Sequence, residues 1–398
     1  MHPIPRYLNV GRQAMKTPIA ARALPMYRAT FNIRPATLGL GAAFASQRTF
    51  ATSVSRYNVN TNTSKNTGQE RVGPGTEGLH MRGLRRAEDT AAPSSVPVKS
   101  PDRIVKGDWV LFHPVYTPDE LRACQVLHRE CKTMSDSVAY GFVKLARWAF
   151  DLVSGYKHKP LPPNASSMSI EQLRKEGCLM DDGQWLKRIL FLESIAAVPG
   201  MVAATLRHLR SLRLMRRDSG WIHTLLEEAE NERMHLMTFM TLKNPSILFR
   251  AMVLGAQGIF YNAFFFSYLI SPQTCHRFVG HLEEEAVITY TRCIQEIEAG
   301  RIPEWTNRPA PEIAKDYWRL GPDAKILDVI YAVRSDESTH RFVNHSLANL
   351  KYGTDVNPFA LQEPDMTTKG STICFDRNQS VNYLEKSKKL IHDGAPAA

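Results

Sequence analysis

Two Glu-x-x-His tetrads, Glu232-Arg-Met-His235 and Glu337-Ser-Thr-His340, constrain this chain more than any other feature. Each sits in a segment whose apolar residues recur at helical spacing. On an α-helix, positions i and i+3 share a face about one turn apart, so a Glu and a His so placed can grip one cation together. Each tetrad is preceded by a separate helix-like segment carrying a carboxylate: Glu193 before the first, and one of Glu283, Glu284 and Glu285 before the second. A single such pair carries little weight in a chain with 13 His. Two pairs alternating with two more helix-borne carboxylates are harder to assign to surface salt links.

Four carboxylates and two imidazoles suit a pair of iron or manganese ions better than zinc. Carboxylates are hard anionic donors that bridge cations, and imidazole accepts iron of either valence. The six cysteines (Cys124, Cys131, Cys178, Cys275, Cys293 and Cys374) form no Cys-x-x-Cys pair, which argues against iron–sulfur and zinc-finger readings and for free thiols. The economical architecture is all-α: a ferritin-like di-iron four-helix bundle with two additional helices. The segments at about 183–212, 219–241, 272–299 and 323–350 would form the bundle, and 134–156 and 246–270 would supply the extra pair.

The net charge of +11 is misleading until it is located. No acidic residue precedes Glu70, whereas Arg6, Arg12, Lys16, Arg22, Arg28, Arg34, Arg48, Arg56 and Lys65 do; setting these nine aside from 50 leaves 41 basic against 39 acidic residues. Residues 1–60 therefore read as a mitochondrial import leader rather than a nucleic-acid-binding arm. Residues 61–105, polar and Pro/Ser-rich near Ala91–Pro97, read as a linker, with order expected to begin near Trp109. The folded domain is expected over 106–352 and a polar, loosely ordered tail over 353–398. Thr117-Pro-Asp-Glu120 combines an N-cap, Pro at N1 and a capping-box Glu, opening a helix expected to run toward Cys131. In 134–156, Ala139, Phe142, Val143, Ala146 and Phe150 form the expected inward stripe.

Ala251 to Cys275 carries no charge and is long enough to span a bilayer. A span there would put Glu232 and Glu283 on opposite sides, roughly 30 Å apart, and dismantle the metal site. With Gln257, Asn262 and Ser267 inside it, the run is better suited to lie in one leaflet beside 134–156, as in a monotopic interfacial protein.

Taken together, Leu192-Glu-Ser194, Asn231-Glu-Arg-Met-His-Leu236, Leu282-Glu-Glu-Glu-Ala286 and Arg334-Ser-Asp-Glu-Ser-Thr-His-Arg-Phe-Val-Asn-His345 resemble the motifs of the alternative oxidase family, the mitochondrial di-iron ubiquinol oxidases. The resemblance runs from about 107 to 352; it departs at Ser194, where the family often has Thr, and at Thr339, where it often has His. It implies Glu193, Glu232, His235, Glu283, Glu337 and His340 as ligands of two iron ions, which chooses among the three consecutive glutamates. It implies Tyr290 as the redox-active tyrosine, two turns from Glu283 on the same face. For quinol it points to Arg188, Leu192, Leu282, Glu285 and Thr289, with Arg147 and Asp151 completing the pocket, although the last two are also spaced for a simple i,i+4 ion pair. Asn231 and Asp336 are implied as partners of the ligand imidazoles, and His208 as a dimer-packing residue. The expected activity is oxidation of two ubiquinols with reduction of O₂ to two waters, without proton pumping, by a homodimer on the matrix face of the inner membrane. A di-iron hydroxylase of a quinone precursor and a ferritin-like iron-binding membrane protein would use the same ligands.

Overall fold

A computed structural model describes residues 114–154 and 159–392. The import leader, the linker and the onset of order near Trp109 lie outside these residues. The described chain is all α. It begins with α1 (Pro118–Ala123) and α2 (Met134–Ser154), then a short α3 (Ile170–Lys175). The long helices α4 (Asp182–Leu214), α5 (Trp221–Met240), α6 (Ile247–Ile270) and α7 (Pro272–Glu298) follow. Two short helices, α8 (Pro303–Thr306) and α9 (Glu312–Trp318), lead to α10 (Ile326–Leu347), and α11 (Met366–Ser371) and α12 (Arg377–His392) complete the order.

The bundle is built from two tightly packed pairs, α4 with α5 and α7 with α10, while α2 lies along α7 and α6 along α4 and α7. These are the six long helices that the sequence implies. Two glycines set how closely the pairs approach. A Cβ at Gly200 of α4 would stand 2.7 Å from the Leu225 carbonyl oxygen of α5, and one at Gly280 of α7 would meet the His345 ring of α10 at 2.5 Å. Trp185, Ile189, Ile294, Trp305, Trp318 and Val329 fill the main core.

Three expectations are corrected by tertiary contacts. Helix α1 has the Thr117 capping box and N-terminal Pro, yet stops at Ala123 rather than near Cys131. Beyond it the backbone runs extended across the bundle, where Gln125 N–H donates to the Gly370 carbonyl and Arg341 donates to the Gln125 carbonyl. Helix α10 begins at Ile326 because Ala324 and Ile326 pair with backbone at Ala310 and Arg308, holding this stretch extended past Asp323. The tail is not loosely ordered through His392. Phe359 and Met366 are buried, Phe359, Phe375 and Tyr383 pack as rings with Phe342, and Lys369 is buried in an ion pair with Glu363 at 2.9 Å.

Helix α2 also departs from its expected stripe. Ala139 and Val143 are buried, but Phe142 turns outward with Met134, Leu145, Trp148 and Leu152. Helix α6 buries only Phe264 and Tyr268 and exposes Ile247, Leu254, Ile259, Phe266 and Ile270. Both α4 and α6 are long and apolar enough to cross a bilayer; α4 is mostly inside the bundle, and α6 almost wholly outside it.

Candidate metal centre

Four helices bring six candidate ligands to one buried place: Glu193 from α4, Glu232 and His235 from α5, Glu283 from α7, and Glu337 and His340 from α10. All six side chains are buried. They resolve into two overlapping groups, Glu193–Glu232–His235–Glu337 and Glu232–Glu283–Glu337–His340, each with its ligand atoms within 4.8 Å of one another. Glu232 and Glu337 belong to both groups and so stand where bridging carboxylates would. His235 Nδ1 lies 3.4 Å from an oxygen of each of Glu193, Glu232 and Glu337, and His340 Nδ1 lies 2.7 Å from Glu232 Oε1.

The residues fit a pair of cations by their own polarity. His235 Nδ1, Glu193 Oε2 and Glu232 Oε2 are buried without a hydrogen-bond partner, a costly arrangement unless an ion completes it. Burial, outweighing the attraction of His235, pushes the Glu193 carboxyl up to about 8. Burial and the charge of Glu337 raise Glu283 well above the carboxylate range. Burial disfavours charge on the two imidazoles, but Glu232 and Glu193 raise His235 well above its ordinary value, and Glu232 carries His340 to about 9. Glu232, buried between both imidazoles, is held well below the usual carboxylate range.

Asp336 fixes the site from behind. His235 Nε2 lies 3.0 Å from its Oδ2, which also accepts from Asn231 Nδ2 at 2.9 Å and Trp318 Nε1 at 2.8 Å; the Tyr116 hydroxyl donates to Oδ1. Asn231 also donates to the Tyr317 hydroxyl at 2.9 Å. With Nε2 engaged by the carboxylate, Nδ1 is the nitrogen left to face a metal. Tyr116 and Trp318, which bond Asp336, and Tyr317, which bonds Asn231, escape a sequence reading because no local spacing links them to their partners.

The chain matches the alternative oxidase family model over residues 116–349. It belongs to the alternative oxidase family. The mitochondrial alternative oxidase of Cryptococcus neoformans var. grubii is 47% identical over 390 residues, spanning 96% of each chain. That of Emericella nidulans is 56% identical over 262 residues, or 66% of this chain and 71% of the relative. That of Ajellomyces capsulatus is 53% identical over 267 residues, or 66% and 73%.

The other residues implied by the alternative oxidase resemblance fall into distinct places. The buried Tyr290 donates its hydroxyl hydrogen bond to Glu193 Oε1, and burial with the Glu193 charge raises the phenol well above its ordinary value. Arg147 and Asp151 do form the i,i+4 pair, at 3.0 Å, but the pair is extended: Arg147 also bonds Glu285, and Arg188 reaches Asp151 at 3.4 Å. Arg188 also stacks over the Phe150 ring at 4.8 Å. Arg188, Phe150, Phe191, Phe249 and Met252 help line a cavity of about 570 Å³, so α2, α4 and α6 all contribute to it. Leu192, Leu282, Glu285 and Thr289 are half-buried and not part of that lining; the Thr289 hydroxyl is turned back to the Glu285 carbonyl at 2.8 Å. His208 is exposed, while its neighbour Arg207 is buried, pairing with Asp218 at 2.9 Å and covering Trp221 at 4.1 Å.

Proposed function

We propose that this chain is a cyanide-insensitive terminal oxidase that oxidises two ubiquinols and reduces one O₂ to two waters at a di-iron centre. The observation that carries this reading is the pair of ligand groups sharing Glu232 and Glu337, with Tyr290 hydrogen-bonded to Glu193. Iron held by Glu193, Glu232, His235, Glu283, Glu337 and His340 would supply the redox couple between quinol and oxygen. Tyr290, buried against a ligand, is placed to pass a proton and an electron together, because release of the proton alone is opposed by burial and by Glu193. Asp336 and Asn231 hold His235 in one tautomer and orientation.

The quinol headgroup is assigned to the region where Arg188 enters the cavity. Phe150 and Phe191 supply ring contacts there, their centroids 5.5 Å apart. Arg147, Asp151 and Glu285 join Arg188 through a chain of ion pairs, and Leu192, Leu282 and Thr289 complete the assignment. A lipid-dissolved substrate would enter between α2 and α6, whose exposed apolar faces are suited to rest in one leaflet. We assign the protein to the matrix face of the mitochondrial inner membrane as a homodimer, with the leader over 1–60 directing import. Nucleic acid has no part in this function.

The test is quinol-dependent O₂ uptake by the iron-loaded protein with cyanide present. Steady uptake with water as product is expected. Iron binding without uptake would reduce the assignment to an iron-binding protein, and oxygen-18 in the quinone ring would replace it with a hydroxylase.

A further inference from the structure

The three consecutive glutamates of α7 point to three different places. Glu283 joins the metal-candidate group, Glu285 pairs with Arg147, and Glu284 enters a second histidine cluster on the far side of the helix. His281, one turn before Glu284, is buried, and neither of its ring nitrogens has a hydrogen-bond partner. Its Nδ1 approaches Glu284 Oε1 at 3.1 Å without the alignment of a hydrogen bond. From the extended segment after α1, His128 places Nδ1 2.5 Å from Glu284 Oε2.

The two carboxylate oxygens of Glu284 have different surroundings. Oε1 accepts from the Arg129 backbone N–H at 3.1 Å and from His345 Nε2 at 2.7 Å. His345 has to donate there, because Arg277 Nη1 donates to its Nδ1 at 2.9 Å. His345 thus orients the carboxylate, as hydrogen-bond partners of metal ligands do. Oε2 meets His128 Nδ1, while the backbone and His345 bonds are made to Oε1. The nearby positive charge of Arg277 and Arg129 is met by Asp136, at 2.6 and 3.9 Å.

We propose that His128, His281 and Glu284 form a binding site for a divalent transition cation of the zinc type, separate from the iron ligands. One ligand atom from each lies within 4.8 Å of the others. A tetrahedral Zn²⁺ with ligands at about 2.0–2.2 Å holds them roughly 3.4 Å apart, so small side-chain rotations close the set. Two imidazoles and one carboxylate, with water as fourth ligand, is a donor set that zinc favours and that calcium and magnesium, which take oxygen ligands, do not. His128 is half exposed, 51% by side chain, and gives a hydrated ion its way in. A bound ion would staple the extended segment to α7 immediately beside Glu283.

The experiment uses the full, iron-loaded chain, titrated with Zn²⁺ by calorimetry while bound iron and zinc are counted by elemental analysis. Co²⁺ serves as a second probe, because tetrahedral coordination gives it strong visible absorption. One zinc per chain is expected to bind without loss of iron and to raise the melting temperature. His281→Phe and, separately, His128→Ala should weaken that binding at least about 10-fold, the scale on which perturbed ligand sets lose metal. If His281→Phe folds poorly, the half-exposed His128→Ala carries the test alone. No zinc bound beyond the iron, zinc bound only by displacing iron, or binding unchanged in His128→Ala would each overturn the site.

Discussion

Helices α10 and α6 invert one another. Every residue of α10 from Ala332 to Leu347 is buried, yet that run includes Arg334, Asp336, Glu337, His340, Arg341 and His345. Helix α6 is almost wholly apolar and buries only Phe264 and Tyr268. In a protein whose only environment were water, both would be placed wrongly, since buried charges and exposed apolar faces each cost free energy. The proposed function would give each arrangement a counterpart: cations for the carboxylates and imidazoles inside α10, a lipid surface for the outside of α6. A polar stretch buried all round and an apolar helix exposed over most of its surface would then be two forms of one signal, a surface suited to something other than the chain itself.

The strongest way to break this comparison is to remove a shared carboxylate. Glu337→Ala is expected to abolish turnover and leave neither ion bound, since both ligand groups lose a member; iron retained at two per chain would show that the α10 interior is polar for some other reason. Tyr290→Phe is milder. It should cut quinol-dependent O₂ uptake by about 100-fold or more, the scale of a lost proton donor, while iron stays bound. Full activity would remove Tyr290 from the chemistry. On the other side of the comparison, replacing both Leu254 and Ile259 by Glu should free the protein from vesicles. Burying one such apolar side chain is worth about 1.5–3 kcal/mol, so the partition should shift by at least about tenfold. Unchanged co-sedimentation with lipid would mean that the exposed face of α6 meets something else.

The smallest effect concerns the metal-free protein and pH. The raised values of Glu193, near 8, and His340, near 9, contribute stability that is complete when the unfolded chain is itself protonated and that is lost as pH rises through those values. The depressed Glu232 contributes stability already present above the ordinary carboxylate range, so it is constant in this window. The melting temperature of the metal-free protein should therefore fall between about pH 6.5 and 9. Iron requires ionised carboxylates and neutral imidazoles, so the gap between loaded and metal-free protein should widen over the same range. Calorimetry of both forms at the two ends of the window decides it; a metal-free curve that is flat or rising would contradict protons standing in for cations.

Much of the bundle and the Glu-x-x-His pairs of the candidate site was legible because both rest on local spacing. A Glu and a His three apart on a helix share a face whatever else the chain does, and apolar residues at i, i+3 and i+4 mark the same helices wherever they pack. The three glutamates at 283–285 show where local spacing stops. Successive helical positions turn by about 100°, so the triplet had to face three ways. Which way met α10's Glu337, which met His345 and which met Arg147 depended on the packing of α7 between α10 and α2.

The sequence by itself determined an all-α chain, its six long helices and the pairing of donor types within each turn, since these follow from backbone periodicity and side-chain chemistry over a few residues. Only the tertiary structure decided that residues 125–132 run extended across the bundle, that Tyr116 and Trp318 converge on Asp336, and that the C-terminal segment packs against Phe342. Those arrangements join residues up to 220 positions apart. Hydrogen bonds and ring contacts across such separations form only after the helices have packed, and no local pattern encodes them.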